Sequence, residues 1–357
     1  ISGFLCPDGI PGSFLLSGGA DPEERYEPLR PVLETLIGRM PLLIFHSGRS
    51  PLRDITLQAW QTCAPDTPLW VIDGERREFE PFFGMEKTQA AAALRQLAIR
   101  LGYTPTPRFD RVARAHMDIL ARLDPPVPVS LTGFSFLCRF QDMEEFYHNI
   151  LALSPDPAEG RRIWADLGVG DDAGQFDLFR AVIRSLEEEA AQSGWDPDNG
   201  VARQNCLQAL RSALPGPDGL QTAPVLLLPV NPLYTELLLT YLAEELRAGS
   251  GCGPFLLLLD GIPLRDPRFT EYLRTAGSGC CFGIVTENAA DVADEAVFRS
   301  LCERMRCLVL FKHGTGASAA ALAELFGKYD HTKVESSRGT NRGCFHLLPR
   351  DQHEDDR

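Results

Sequence analysis

The sequence has no apolar run as long as a membrane span, which needs about 20 residues. Its 10 cysteines form no C-x-x-C pair and have no His-rich spacing, so neither a zinc site nor a disulfide framework is indicated. Basic residues are in deficit, with 35 Lys and Arg against 49 Asp and Glu and a net charge of −14. Non-specific binding of nucleic acid needs Lys and Arg to neutralise phosphates, so this charge argues against such a surface. It does not exclude a local basic channel.

A chain of 357 residues with 44% hydrophobic and 24% charged residues has the composition of a soluble globular protein. It is long enough for a large core and two domains. The scattered cysteines suit a reducing compartment, so we expect a cytoplasmic protein. The chain begins at Ile1, which leaves open whether an upstream segment, such as a membrane anchor, precedes it. A charged tail at 351–357 is expected to fray.

The stretch that organises the sequence is 253–264, GPFLLLLDGIPL. Its four consecutive leucines, with a helical pattern on each side, predict a central parallel strand buried on both faces. Asp260 ends this strand, at the edge where open α/β sheets bind their ligands. We expect the strand to lie between those predicted at 223–229 and 280–286.

Strand and helix patterns alternate in the first and last parts of the chain, which is typical of βαβ units. We therefore predict an α/β fold with a mainly parallel sheet, built from 1–103 and 221–350. Between them, 104–220 shows helical spacing and almost no strand signal, which predicts an inserted all-helical domain. The predicted strands are 11–19, 41–48, 68–74, 223–229, 255–260, 280–286 and 307–312, with a β-hairpin at 330–348. The predicted helices are 26–39, 51–63, 85–102, 109–123, 143–153, 176–192, 201–214, 233–249, 268–276, 292–305 and 317–327.

The order of these parts resembles the cytoplasmic ATPase domain of type IV secretion coupling proteins, the TraG/TraD family of conjugative DNA transfer. These are RecA/FtsK-like P-loop motors. The resemblance is best over 223–337, where LLLLDG, GIVTEN, RCLVLFKHGTG and AALAELFGK follow the family's pattern. PLLIFHSGR, PLWVIDGE and EFEPFFG match the first third more loosely. The resemblance implies that Asp260 stands at the Walker B aspartate, which helps to hold magnesium.

The phosphate loop departs from the family's pattern. G-x-x-x-x-G-K-[ST] cradles phosphates with backbone N–H groups, a lysine and a magnesium-binding hydroxyl. The corresponding stretch here is 19–26, GADPEERY, with Gly19 in place. Glu24 stands at the second glycine, Arg25 at the lysine and Tyr26 at the hydroxyl residue. An alternative alignment on 46–51 also lacks Gly-Lys-Ser, so neither loop is expected to bind ATP well.

Two further positions depart from the family. Gly261 stands where the catalytic glutamate follows the Walker B aspartate, so no carboxylate orients the attacking water. Glu287 replaces the sensor glutamine. We therefore expect a catalytically silent relative with no cofactor and no metal, acting as a binding or scaffolding component of a DNA-transfer system.

The partners implied are proteins of a secretion or DNA-transfer system, and the sequence leaves homo-oligomerisation open. DNA is not supported by the net charge. A first alternative is an active DNA-translocating ATPase with an atypical phosphate loop, which would use ATP and magnesium.

A second alternative is a serine hydrolase. Ser135 in Gly-Phe-Ser-Phe-Leu faintly resembles a nucleophile elbow, with Asp260 and one of His313, His331 and His346 as triad partners. Because the second glycine of the elbow is a leucine, a strand-like turn with a buried serine is the simpler interpretation. The remaining candidates are interpreted as ordinary features: His46-Ser47 after a strand, 171–172 as a loop or cap, 187–189 as a solvated helix face, and Arg338 and Arg342 as a charged turn rather than trans-acting fingers.

Overall fold

The computed structural model describes residues 12–19, 21–48, 50–71, 82, 85–123, 126–139, 149, 156–167, 173–192, 225–230, 232–248, 255–265, 267–275, 280–313 and 316–326. Seven strands form one parallel sheet in the order β3-β4-β2-β5-β6-β1-β7. The strands are β1 (Phe14–Ser17), β2 (Leu42–His46), β3 (Leu69–Val71), β4 (Val225–Pro229), β5 (Phe255–Asp260), β6 (Cys280–Thr286) and β7 (Cys307–Leu310). This all-parallel α/β sheet confirms the predicted fold class and is consistent with a RecA-like fold.

Helices cover both faces of the sheet. The helices are α1 (Pro22–Tyr26), α2 (Leu29–Leu36), α3 (Leu52–Cys63), α4 (Lys87–Arg100), α5 (Pro107–Leu120), α6 (Leu131–Cys138), α7 (Pro157–Leu167), α8 (Ala173–Gln192), α9 (Pro232–Ala248), α10 (Pro267–Thr275), α11 (Glu295–Cys302) and α12 (Ala317–Phe326), with a short 3₁₀ turn at Ala289–Asp291. Alternate strand residues point to opposite faces. Leu42 and Ile44 of β2 accordingly pack with α1–α3, while Leu43 and Phe45 face the opposite, larger core.

The neighbours of β5 differ in part from the expectation. β6 lies on one side, as predicted, with Asp260 level with Val285. On the other side lies β2, not the strand at Val225–Pro229, which is one position further out between β2 and β3. Parallel strands are paired through crossovers, so the local sequence pattern of a strand does not identify its neighbour.

The described part of 104–220 contains α5–α8 and no strand. α5 and α8 pack against α4, and one continuous apolar core extends from the sheet through α4 to these helices. Thr106 caps α5 by accepting a hydrogen bond from the Arg108 N–H, and Pro107 occupies the first turn. The domain boundaries at 104 and 220 stay a prediction, because the segments that would connect this region to the second part of the sheet lie outside the described residues.

Within the described residues, no helix is long and apolar enough to cross a membrane. The predicted elements at 201–214 and 330–348 lie outside the described residues, as do 143–153 apart from a single helical residue, 149.

Candidate functional site

The carboxyl ends of four adjacent central strands meet at one edge of the sheet. β1 ends at Ser17, β2 at His46, β5 at Asp260 and β6 at Thr286. Ser17 is level with Thr286 in the register, and Asp260 with Val285. Open α/β sheets bind their ligands at this edge, so it is the candidate site.

Asp260 is buried, with 2% of its surface exposed. The phenol of Tyr26 donates a hydrogen bond to its Oδ1 at 2.6 Å. The backbone N–H of Ser47 donates to its Oδ2 at 3.1 Å. Both carboxylate oxygens are therefore bound by the protein itself, across the loops that follow β1 and β2.

The position of Tyr26 follows from how α1 begins. Asp21 caps the helix by accepting a hydrogen bond from the Glu23 N–H at 2.9 Å, and Pro22 occupies its first turn. Helix α1 therefore begins five residues after the end of β1. Tyr26, the last residue of α1, reaches Asp260 at the end of β5. Burial raises the pKa of Tyr26, and the nearby Asp260 carboxylate raises this pKa further, so the phenol stays protonated.

Arg25 lies inside the loop that follows β1. Its Nε donates to the Gly18 carbonyl at 2.6 Å and one terminal nitrogen donates to the Gly19 carbonyl at 3.0 Å. Only 7% of Arg25 is exposed. The guanidinium is thus turned back onto the loop, where it donates to the loop's own carbonyl groups.

The N–H groups of this loop are also occupied. Gly18 donates to the Thr286 carbonyl and Gly19 to the Lys312 carbonyl, each at 3.1 Å. Both glycines have positive φ, 91° and 87°, a conformation that side chains disfavour. The loop is therefore tied to the strands on both sides of β1.

His313 lies directly over Gly18. A Cβ at Gly18 would be 2.7 Å from the His313 Nε2, so only glycine fits here. Burial lowers the pKa of His313, a hydrogen bond to the backbone of Ser17 opposes this shift, and Arg25 adds to it. The buried Nε2 has no hydrogen-bond partner within the described part of the chain.

Gly261, which the sequence resemblance aligns with a catalytic glutamate, directly follows Asp260. Its φ is +67°, and its N–H donates to the Val285 carbonyl at 2.9 Å. A side chain here would be strained by the backbone alone. Glu287 follows β6 and is exposed to solvent.

Ser135 lies on the helix α6, not on a strand-like turn, so that interpretation of 133–137 is wrong. The serine is buried, with 4% exposed. The cavity beside it is lined by Cys138, Arg139, Arg180, Arg184 and Glu187. Asp260 and His313 belong instead to the sheet edge. His331, His346, Arg338, Arg342 and the pair at 171–172 lie outside the described residues.

Several contacts at the sheet edge were not anticipated from the sequence. The Ser47 N–H, Gly18 and His313 all take part in these contacts. Each of these residues lies within three positions of the carboxyl end of a strand. Position after a strand end was the available signal, and for His46-Ser47 it was weighed as a possible nucleophile and as part of an alternative phosphate loop. No group of three or more His, Cys, Asp or Glu side chains suited to a metal ion occurs in the described residues.

No protein-family model matches this sequence, and no curated protein matches it either.

Proposed function

We propose that this chain is a catalytically silent relative of the P-loop ATPases, most similar in the order of its parts to the conjugative coupling proteins, and that it works by binding or scaffolding other proteins. The observation that supports this most directly is the hydrogen bond between Tyr26 and Asp260. In P-loop ATPases the corresponding hydroxyl and carboxylate hold magnesium. Here they bind each other.

Magnesium and nucleotide do not fit the residues present. Asp260 has both oxygens bound, and the Gly18 and Gly19 N–H groups donate to neighbouring strands. Phosphates would have to displace the Arg25 guanidinium from the carbonyls it binds. The exposed Asp21, Glu23 and Glu24 would add like charge next to a polyphosphate.

Partners of a secretion or DNA-transfer system are the class implied by the resemblance, and this part of the proposal rests on the resemblance alone. The all-helical region is where the family's likeness places a protein partner. DNA is a weaker candidate, because the net charge is −14.

The alternative, an active motor with an atypical loop, is favoured by one observation. Asp260 ends a central strand, and the residue aligned with the magnesium-binding hydroxyl reaches it. If the loop after β1 opened, Arg25 could take the place of the P-loop lysine as the cation that binds phosphate.

Calorimetry with Mg-ATP tests the proposal against this alternative. The wild type should give no heat of binding at about 1 mM nucleotide. Even a dissociation constant of about 1 mM corresponds to a binding free energy of only about −4 kcal/mol. A matched pair of variants identifies the residue responsible for any binding: Arg25→Ala removes the guanidinium from the loop, while Arg30→Ala removes an exposed one that bonds Gln58. Micromolar binding lost in Arg25→Ala and kept in Arg30→Ala would overturn the proposal and favour the atypical motor.

A further inference from the structure

A cavity of about 370 Å³ lies between α6 and α8, away from the sheet edge. Small-molecule sites occupy about 300–1,000 Å³, so this space has room for a compact ligand. Six residues line it: Ser135, Cys138, Arg139, Arg180, Arg184 and Glu187. Three of the six are arginines, in a chain whose overall charge is strongly negative.

Helical spacing explains why these side chains meet. Ser135 and Cys138 are three residues apart on α6, and Arg139 follows at its end. Arg180, Arg184 and Glu187 recur at intervals of four and three residues on α8, which places them on one face. The neighbouring stripe of α8, including Phe179 and Ile183, is fully buried in the core. The core packing of α8 therefore fixes the direction in which its arginines point.

Arg180 is held in place before any ligand arrives. One terminal nitrogen donates to the Cys138 carbonyl at 2.9 Å, and the guanidinium lies 5.7 Å from the centre of the Phe176 ring. Its remaining N–H groups are free to bind a further acceptor. Arg139 and Arg184 form no ion pair with a carboxylate of the described residues.

We propose that this cavity binds a ligand through a phosphate monoester group. Three guanidinium groups and one carboxylate, Glu187, give the lining a net charge of +2, which complements a monoester carrying about −1.5 to −2 at pH 7. Arginine forks match phosphate oxygens in pairs, and the Ser135 hydroxyl supplies one more donor. The site is independent of the nucleotide question at the sheet edge and goes beyond the proposed function.

Cys138 does not reduce this positive charge. Burial raises the pKa of its thiol to about 12, with Arg180 opposing the shift, so the thiol is neutral at physiological pH. The lining therefore keeps its charge over the whole range in which a phosphate monoester ionises.

A calorimetric titration of the full chain with phosphoserine tests the assignment. We expect a dissociation constant below about 1 mM. Arg184→Gln and Arg139→Gln should each raise it about tenfold, because each removes a charge-assisted hydrogen bond. Arg180→Gln is a poor test, since it would also disturb α6 and Phe176. Arg161→Gln, which removes an exposed arginine on α7, is the matched control and should leave binding unchanged.

The pH and the probe separate phosphate from other anions. The second pKa of a phosphate monoester is about 6, so binding should weaken below that pH as the dianion is lost. A phosphoserine peptide distinguishes the source of the group: tighter binding than free phosphoserine points to a phosphorylated protein, and equal binding to a small molecule. No binding at about 1 mM would overturn the proposal. So would equal binding of glutarate, or an equal loss in Arg161→Gln.

Discussion

The hydrogen bond between Tyr26 and Asp260 should stabilise the folded protein, and removal of a single oxygen atom tests this. Tyr26→Phe keeps the ring and removes the hydroxyl, leaving the buried Asp260 Oδ1 without this donor. The free energy of unfolding should fall by about 1–3 kcal/mol, measured by urea denaturation at neutral pH. Tyr103→Phe is the control, because 41% of Tyr103 is exposed and its loss of a hydroxyl should cost little. Equal midpoints for the two variants would contradict the assigned bond.

Alkaline pH should act on the same tyrosine. Burial and then Asp260 raise the pKa of Tyr26 above its ordinary value of 10.0. Below pH 10 the phenol is protonated in the folded and the unfolded state, so its contribution to stability does not change with pH. Above pH 10 the unfolded chain releases the proton and the folded chain keeps it, so stability falls as pH rises. The unfolding free energy of wild type should fall more steeply than that of Tyr26→Phe over this range. Parallel slopes would show that the phenol is not protected.

His116 makes the opposite prediction at acid pH. Its Nδ1–H donates to the Val112 carbonyl, and its ring stacks on Phe176 and Phe179. Burial lowers its pKa from 6.5 to about 4, the Val112 bond opposes the shift, and Arg180 adds to it. As pH falls through this range the unfolded chain takes up a proton first, so stability present above about pH 6.5 is lost.

The measurement for His116 is urea denaturation across this range. His116→Phe keeps the ring stacking and removes the titrating group, so its unfolding free energy should change less between about pH 6.5 and pH 4. An unchanged dependence on pH in this variant would assign the effect to other groups.

At the residue scale, the sequence was sufficient to name Tyr26 and Asp260 as members of one candidate site, and the structure brings these two side chains together. The sequence was not sufficient to show that Arg25 turns back onto the Gly18 and Gly19 carbonyls. That contact depends on the positive φ angles of the two glycines, and its geometry arises only once the loop is fixed between two strands.

At the scale of elements, β6 depends on a glycine for its close packing. A Cβ at Gly283 would overlap the Phe14 ring and lie 2.6 Å from the Leu258 Cδ2. Gly283→Ala should therefore lower the unfolding free energy by about 1–3 kcal/mol, the usual cost of overpacking. Gly174→Ala is the matched control, because it lies on α8 with nothing within 4 Å of the added methyl. It should be neutral or slightly stabilising.

Phe14→Leu identifies the source of the cost. If the overlap with the Phe14 ring is responsible, Phe14→Leu should recover part of the loss caused by Gly283→Ala. An additive double variant would place the strain elsewhere in β6.

Elements with a strong local pattern were predicted well, and those fixed by other elements were not. β5 was predicted to end at Asp260, as observed, because an unbroken leucine run has one simple interpretation. The helix predicted at 26–39 is observed as the shorter α2, while α1 lies in the stretch interpreted as a phosphate loop and was not predicted. α7 was missed, although Asp156 caps it by accepting from the Ala158 N–H. An aspartate followed by a proline is equally typical of a helix start and of a turn, so the sequence did not distinguish the two.

For the whole molecule, the continuous core predicts that sheet and helical region unfold together. Trp164 on α7 packs against the larger core, and Trp60 on α3 packs against the core on the opposite face. Two single-tryptophan variants, each retaining one of these probes, should give coincident urea transitions by fluorescence. Earlier unfolding at Trp164 would instead support an energetically separate domain within 104–220.

Gly261 limits how this protein could change in future. On the alignment that the proposed function uses, ATP hydrolysis would call for a carboxylate there, a smaller hydroxyl at Tyr26 and a free cation at Arg25. Glutamate at 261 would be strained by a φ of +67°, and loss of the phenol would leave Asp260 short of a donor. Each single substitution thus costs stability before any nucleotide contact is gained. Under the proposed function, a gain of ATP hydrolysis would therefore require several of these substitutions together, because each one alone weakens the packing at the sheet edge.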